Sequence, residues 1–121
     1  MTVSIKTGDI VEVDLNPTQG DEINKVRPCL ILEGFGHPGL DLVLVAPITS
    51  SNLNNKTEGV FVPIGGRCGL SKPSAVNIYQ MRCIATSRIS KKLGHIGAKD
   101  FDKIKSRLAI ILGISEKHLK L

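Results

Sequence analysis

The segment GDIVEVDLNPTQGDEINKVRPCLIL, near the N-terminus, constrains the fold of this chain more than any other part. In its first part the apolar residues occupy alternate positions, at Val11, Val13 and Leu15. This period-two pattern predicts a half-buried strand. The continuous apolar run Cys29–Leu32 predicts a second strand, buried on both faces. Between them, Asn16–Val26 is a polar loop that is longer than a tight hairpin requires, and loops of this kind in small domains are usually either functional or disordered.

The rest of the chain predicts further short strands and one helix. Apolar segments bounded by turn residues predict strands at Asp41–Ile48, Gly59–Ile64, Ser74–Tyr79 and Cys83–Ile89. Apolar residues then recur at helical spacing, at Phe101, Ile104, Leu108, Ile111 and Leu112. Gly113 is a typical helix stop. This order indicates one domain over residues 1–121, mostly β with a C-terminal helix, built as a small antiparallel barrel or a strongly curved sheet.

The charges are distributed unevenly along the chain. Residues 1–40 contain three basic and six acidic groups, whereas residues 82–121 contain ten basic and three acidic groups. A basic half predicts a polyanionic partner, most often nucleic acid, and a solvated surface is the alternative. Aromatic residues make up only 3% of the chain and Trp is absent, which excludes a broad stacking platform. Tyr79 and Phe35 are the candidate stacking residues outside core positions.

Several classes of protein are not indicated by this sequence. It contains no apolar segment long enough to span a membrane, and its N-terminus lacks a signal pattern, so we expect a cytoplasmic protein with no membrane partner. The cysteines are odd in number and form no CxxC pair, and the histidines lack metal-ligand spacing. We therefore expect no disulfide framework, no metal site and no cofactor.

One group of residues from two strand termini is suited to binding an anion. Arg27 lies at the start of the second predicted strand, and Thr49 and Ser50 follow the strand Asp41–Ile48. A guanidinium fork beside a hydroxyl can hold a phosphate through charge-assisted hydrogen bonds. Alternatively, Thr49 and Ser50 only satisfy the backbone of a turn. The residues alone leave these two interpretations equally open.

Four motifs together resemble the MazF/PemK family of toxin endoribonucleases. The first is the N-terminal segment with NPTQGDE and RPCLIL, and APITS, VNIYQMRCI and SRISKKLGHI follow it in the family's order. The resemblance covers nearly the whole chain. It implies an SH3-like (CcdB/PemK-type) antiparallel barrel, a homodimer, and an antitoxin partner whose acidic C-terminal tail lies along a basic groove, the pair binding DNA together.

The resemblance also implies an activity. Members of the family cleave single-stranded RNA, usually mRNA, at short sequence motifs and without a metal ion. The ribose 2′-OH attacks the adjacent phosphate and leaves a 2′,3′-cyclic phosphate and a 5′-OH. Such a reaction needs a fixed geometry and stabilisation of the extra phosphoryl charge.

Residue by residue, the resemblance assigns several roles. Arg27 matches the catalytic arginine, which stabilises the transition state and can protonate the leaving oxygen, and Thr49 matches the hydroxyl that holds the scissile phosphate. Glu22 matches a loop glutamate, and Gln80 and Arg82 match strand residues that face the RNA groove.

This chain departs from some family members at their loop histidine and their aspartate–arginine pair. The corresponding positions are Asp21, Tyr79 and Asn77. The general base is therefore unassigned, and Tyr79 is a candidate to stack on, or hydrogen-bond to, a base. The loops Asn16–Val26 and Glu33–Leu40 are expected to set the base specificity.

Two other functions are compatible with such a fold. A non-catalytic toxin that poisons DNA gyrase would not require the pair Arg27 and Thr49. An SH3-like RNA-binding module would bind RNA in a salt-dependent manner without producing cyclic phosphate ends.

Overall fold

Antiparallel strands form most of the structure, a computed structural model that describes residues 4–17, 19–20, 25–34, 41–50, 61–65 and 68–119. The strands in this part of the chain are β1 (Asp9–Asp14), β2 (Val26–Glu33), β3 (Leu42–Thr49), β4 (Phe61–Ile64), β5 (Ser74–Asn77), β6 (Arg82–Ala85) and β7 (Ile89–His95). The helix α1 (Ala98–Leu112) follows β7. Within the described residues, no helix combines the length and the apolar character needed to cross a membrane.

The strands are arranged in the order β4-β5-β3-β2-β1-β7, and every described pairing is antiparallel. β6 pairs with the first part of β3, and β5 pairs with its last part. A 3-10 turn, Thr86–Arg88, joins β6 directly to β7. The series β6-β3-β2-β1-β7 is therefore a strongly curved sheet whose two outer strands are linked through the chain, although no described pairing between β6 and β7 closes it into a barrel.

Two apolar cores lie on opposite faces of the central strands. The inner core is enclosed by the curved sheet and contains Val11, Val13, Leu15, Cys29, Ile31, Val43, Val45, Ile84 and Ile89. The helix-side core lies between the sheet and α1 and contains Ile10, Leu30, Ala46, Ile48, Val62, Ile64, Cys68, Val76, Ile78, Ile96 and Ile104. Phe101, Leu108 and Ile111 of α1 pack against the helix-side core. The predicted mostly β architecture with a single C-terminal helix is confirmed.

The prediction that the first strand is half-buried holds for its second half, where Glu12 and Asp14 are more exposed than Val13, and is wrong at its start. Ile10 and Val11 are both inaccessible to solvent, although they point to opposite faces of β1. The sheet is covered by an apolar core on each side, so Ile10 packs in the helix-side core and Val11 in the inner core. The prediction that Cys29–Leu32 is buried on both faces is confirmed, because Cys29 and Leu30 belong to different cores.

The boundaries of the later strands also differ from the prediction. The predicted strand Ser74–Tyr79 ends at Asn77, because the Asn77 side chain accepts hydrogen bonds that start a 3-10 turn. The predicted strand Cys83–Ile89 is interrupted by the turn Thr86–Arg88, and a further strand, β7, was missed. β7 pairs only with β1 among the described strands, so its exposed polar residues gave no apolar signal.

Candidate active site

Several strand termini meet at one end of the curved sheet. Val13, near the end of β1, is opposite Arg27 at the start of β2 and opposite Ile89 at the start of β7. On the other side of β2, Cys29 is opposite Pro47 of β3. Continuing this antiparallel register by two residues places Arg27 opposite Thr49, and opposed residues point to the same face of a sheet. By this continuation of the register, the two predicted catalytic residues are neighbours on adjacent strands.

Arg82 belongs to the same end of the sheet and to the same face. It is opposite Val45 of β3, and its Nη1 atom donates a hydrogen bond to the carbonyl oxygen of Leu15 at 3.3 Å. Burial raises the pKa of the Cys29 thiol to about 12, and the positive charges of Arg82 and Arg27 oppose this rise. Both guanidinium groups are thus close enough to the Cys29 thiol, at the edge of the inner core, for their charges to affect its pKa.

A third arginine, which the sequence did not single out, lies at this end. Arg88 occupies the turn before β7, and its Nη1 atom donates hydrogen bonds to the carbonyl oxygens of Asp14, at 3.1 Å, and of Asn16. We call Arg27, Arg82 and Arg88 the arginine rim. Arg88 was missed because the predicted strand Cys83–Ile89 concealed the turn, and the basic residue immediately before β7 was the available signal.

The rim is bordered by a 3-10 turn between β5 and β6, the two strands that pair in succession with the same edge of β3. Val76 is opposite Ile48, and Arg82 is opposite Val45. Val76 and Arg82 are six positions apart in the chain, whereas their partners on β3 are only three positions apart. Three of the residues between Val76 and Arg82 therefore have no place in the pairing with β3. The turn Ile78–Gln80 contains them.

The side chain of Asn77 holds this turn in place. Asn77 is buried, and its Oδ1 atom accepts hydrogen bonds from the backbone N–H groups of Tyr79 at 3.1 Å and Gln80 at 3.2 Å. Ile78 is buried in the helix-side core, whereas Tyr79 is 65% exposed and Gln80 is half-buried. Asn77 therefore shapes the backbone, and Tyr79 is presented to solvent.

A cleft of about 340 Å³, lined by both polar and apolar residues, lies beside the rim. Its polar lining residues are Lys25, Arg27, Ser50, Ser71, Lys72 and Ser74. The stem of the preceding loop is tied together at the cleft, since the backbone N–H of Lys25 donates to Asn16 Oδ1 at 3.1 Å and that of Leu15 to the Lys25 carbonyl at 3.1 Å. Hydroxyl groups and cations along one cleft are suited to binding successive phosphates of a single strand.

The other predicted residues are placed as follows. Thr49 is the last residue of β3 and is 5% exposed, so it does not lie in a turn beyond the strand, and Ser50 after it is exposed. Glu22, Asp21 and Phe35 lie outside the described residues. In the described part of the chain, no three His, Cys, Asp or Glu side chains are grouped as metal ligands.

The curved sheet and its arginine rim define a small β protein with a cationic end, and sequence comparison identifies its family. The family of PemK-like, MazF-like toxins of type II toxin–antitoxin systems matches residues 6–112. The chain belongs to this family.

Individual relatives agree with this assignment. The chain is 29% identical over 111 residues to endoribonuclease EndoA of Bacillus subtilis, covering 91% of this chain and 96% of the relative. The fold is similar to that of the crystal structure of MazF from Deinococcus radiodurans, with a TM-score of 0.77, 24% identity and coverage of 91% and 97% of the two chains. It is also similar to a mycobacterial endoribonuclease in complex with its cognate antitoxin, with a TM-score of 0.73, 19% identity and coverage of 93% and 98%.

Proposed function

We propose that this protein is the endoribonuclease toxin of a type II toxin–antitoxin pair, acting in the cytoplasm on single-stranded RNA, with mRNA as its main target. It cuts at short sequence motifs without a metal ion and leaves 2′,3′-cyclic phosphate and 5′-OH ends. The observation that carries this proposal is the β2–β3 register, whose continuation beyond Cys29 and Pro47 puts Arg27 opposite Thr49 at the end of the sheet that also carries Arg82. The 29% identity to an endoribonuclease over most of the chain supports the choice of RNA cleavage.

In the proposed reaction the rim stabilises charge on the scissile phosphate. The 2′-OH attacks the phosphorus atom and loses its proton, and additional negative charge develops on the non-bridging oxygens. The P–O5′ bond then breaks and the 5′-oxygen takes up a proton, so the reaction neither consumes nor releases a proton overall. The Arg27 guanidinium, which carries a permanent charge and a planar set of N–H donors, binds these oxygens. Thr49 donates a hydrogen bond from its hydroxyl to the same phosphate. Preorganised donors of this type contribute most where charge develops in the transition state.

Arg82 and Arg88 have a different part in this proposal. Their guanidinium groups are hydrogen-bonded to the backbone carbonyls of Leu15, Asp14 and Asn16. They fix the start of the loop that leads to Arg27 and add positive potential around the phosphate. Substrate RNA then continues along the cleft through Lys25 and Lys72.

The partners follow from the same charge distribution. Residues 82–121 carry seven more basic than acidic groups, which suits an antitoxin with an acidic C-terminal tail. The similarity to the mycobacterial endoribonuclease bound to its antitoxin supports such a partner. We further propose that the toxin is a homodimer, as the family resemblance implies.

The experiment that tests this function compares RNA cleavage by variants of two arginines. Arg27→Ala is expected to lower kcat on a long unstructured RNA by at least about 100-fold, which corresponds to loss of an oxyanion donor. Arg107→Ala on α1 removes the same side chain from the helix face of the molecule and should retain cleavage. Both variants are first compared with the wild type by thermal unfolding.

Three results would contradict the proposal. Full activity of Arg27→Ala would exclude this residue from the catalytic site. Salt-dependent RNA binding by the wild type without any cleavage would identify a binding module. Inhibition of DNA gyrase without RNA cleavage would identify the non-catalytic class of toxin.

A further inference from the structure

Tyr79 is an aromatic residue whose position is unusual for this chain. It is the only Tyr in the sequence, Trp is absent, and there are three Phe residues. Of the described aromatic residues, Phe61 and Phe101 are half-buried, and Phe101 packs against the helix-side core. Tyr79, in contrast, is 65% exposed.

The backbone that carries Tyr79 is held on both sides. Its N–H is bound by Asn77 Oδ1 at 3.1 Å, and the residue before it, Ile78, is inaccessible to solvent. Met81, two residues later, also packs against the helix-side core. A large exposed ring on a fixed backbone loses little conformational freedom when it binds a flat partner.

Tyr79 also lies beside the rim. The turn that contains Tyr79 joins β5 to β6, and both of these strands pair with one edge of β3. Arg27 is on β2, which pairs with the other edge of β3. Two strand spacings of about 5 Å separate the backbone of this turn from β2, so the backbone at Tyr79 is roughly 10 Å from that of Arg27 across the sheet. A tyrosine side chain and one nucleotide together can span such a distance.

We infer that Tyr79 is the stacking residue that holds one base of the single-stranded RNA next to the cleaved phosphate. The inference rests on the proposed function and adds a residue that binds the substrate through its base. Stacking on the aromatic face explains why a hydrophobic ring is exposed beside a cationic site, because bases flank every phosphate that the arginines bind. Base stacking tolerates different bases, so Tyr79 contributes affinity to the site.

The absence of Trp makes a direct optical test possible. Tyr79→Trp creates a single fluorescent probe at the turn, and Ile110→Trp, at a site on α1 that is 67% exposed, is the matched control. The ligand is a short RNA that carries the mapped cleavage site with a 2′-deoxy substitution at the scissile nucleotide, so that it binds without being cut. Binding itself is followed by fluorescence anisotropy of a dye on the RNA.

We expect the emission of Tyr79→Trp to be strongly quenched at saturation and that of Ile110→Trp to be unchanged. In the wild-type background, Tyr79→Ala and Tyr79→Leu should each weaken binding roughly 10-fold and raise KM with little change in kcat, whereas Tyr79→Phe should behave as the wild type. The Leu variant retains bulk but has no π-face, and the Phe variant retains the ring without its hydroxyl.

Several outcomes would overturn the inference. These are equal emission changes at both positions while the RNA binds, wild-type affinity of Tyr79→Ala, or loss of affinity in Tyr79→Phe, which would indicate a hydrogen bond instead. A change of oligomeric state in Tyr79→Ala, measured by analytical ultracentrifugation, would assign the ring to a subunit contact. If the wild-type protein cleaves RNA, each of these results leaves the proposed function intact, whereas absence of cleavage by the wild type refutes that function itself.

Discussion

Asp9 is a buried charge that connects the first strand to the last. Its carboxylate is inaccessible to solvent and lies 2.9 Å from His95 Nδ1 and 3.3 Å from Lys92 Nζ, both on β7. It also accepts a hydrogen bond from the backbone N–H of Lys6 at 2.8 Å. Burial alone would raise the pKa of this carboxyl, but the hydrogen bonds from His95, Lys6 and Lys92 lower it below its ordinary value of 3.8. The ionised form is therefore the one that stabilises the fold.

The lowered pKa of Asp9 predicts a specific dependence of stability on pH. Its contribution is complete above the unfolded-state pKa and is lost as the pH falls through the lower folded-state pKa. Asp9→Asn should reduce the free energy of unfolding near pH 7 by about 2 kcal/mol, the value of a hydrogen bond to a charged group. Urea unfolding at several pH values would show a smaller decrease towards acid pH in Asp9→Asn than in the wild type.

The exposed Asp41 provides the control for this experiment. Asp41→Asn should leave the acid limb of the stability curve as it is in the wild type. An identical decrease towards acid pH in the wild type and Asp9→Asn would contradict the assignment of this limb to Asp9.

At the level of secondary structure, the 3-10 turn after β5 depends on one side chain. Asn77→Ala removes the acceptor of two backbone N–H groups and should destabilise the protein by about 1 kcal/mol, as for loss of a helix cap. Because the same turn carries Tyr79, we also expect a higher KM for RNA. Asn77→Asp retains the acceptor oxygen and should retain the turn. Unchanged stability and KM in Asn77→Ala would show that the turn forms without this cap.

The two ends of α1 provide a matched pair of substitutions. Gly97 precedes the helix with φ −68°, whereas Gly113 follows it with φ 68°, and neither position has an atom within 4 Å of an added Cβ. Gly113→Ser should cost about 1 kcal/mol because a side chain is strained in the left-handed conformation. Gly97→Ser should be neutral or stabilise by a few tenths of a kcal/mol, since serine can cap the helix. Thermal unfolding measures both, and equal effects at the two ends would contradict this explanation.

The elements that sequence could predict are those with an uninterrupted local signal. The apolar run of β2, the strand β3 and the helix α1 were each recognised, because their burial alternates or recurs with a fixed period. β7 was missed, because most of its residues are exposed and its place is determined by pairing with β1. The turn at Asn77 was missed because Asn77 is both the last residue of β5 and the cap of the turn, so the apolar pattern of the strand runs on into the turn.

The site was predictable to a similar extent. Arg27 and Thr49 were predicted as a pair, and continuing the β2–β3 register makes them neighbours; their catalytic roles stay a prediction. Their proximity follows from the pairing of β2 and β3, which no local pattern contains. Arg88 and Lys72 could not be selected among the many basic residues of the chain, because only the fold shows which of them reach the same end of the sheet.

At the level of the whole molecule, the two ends of the curved sheet have different chemistry. One end carries the arginine rim and its cleft, and the other carries the buried Asp9 with its two partners on β7. The two apolar cores fix the strands between these ends. The sheet thus holds the rim in place, while Asp9 and its partners at the opposite end contribute to stability and lie away from the proposed phosphate site.

In the proposed mechanism, this rim promotes attack by a ribose 2′-OH without a metal ion. The most direct measurement is to map the ends produced from one RNA oligonucleotide in EDTA, beside the same oligonucleotide with a 2′-deoxy residue at the cleavage site. We predict 2′,3′-cyclic phosphate and 5′-OH ends from the RNA at an unchanged rate after chelation, and no cleavage of the 2′-deoxy oligonucleotide. Cleavage of the 2′-deoxy oligonucleotide, 5′-phosphate ends, or an activity that EDTA abolishes and a divalent ion restores would contradict the account.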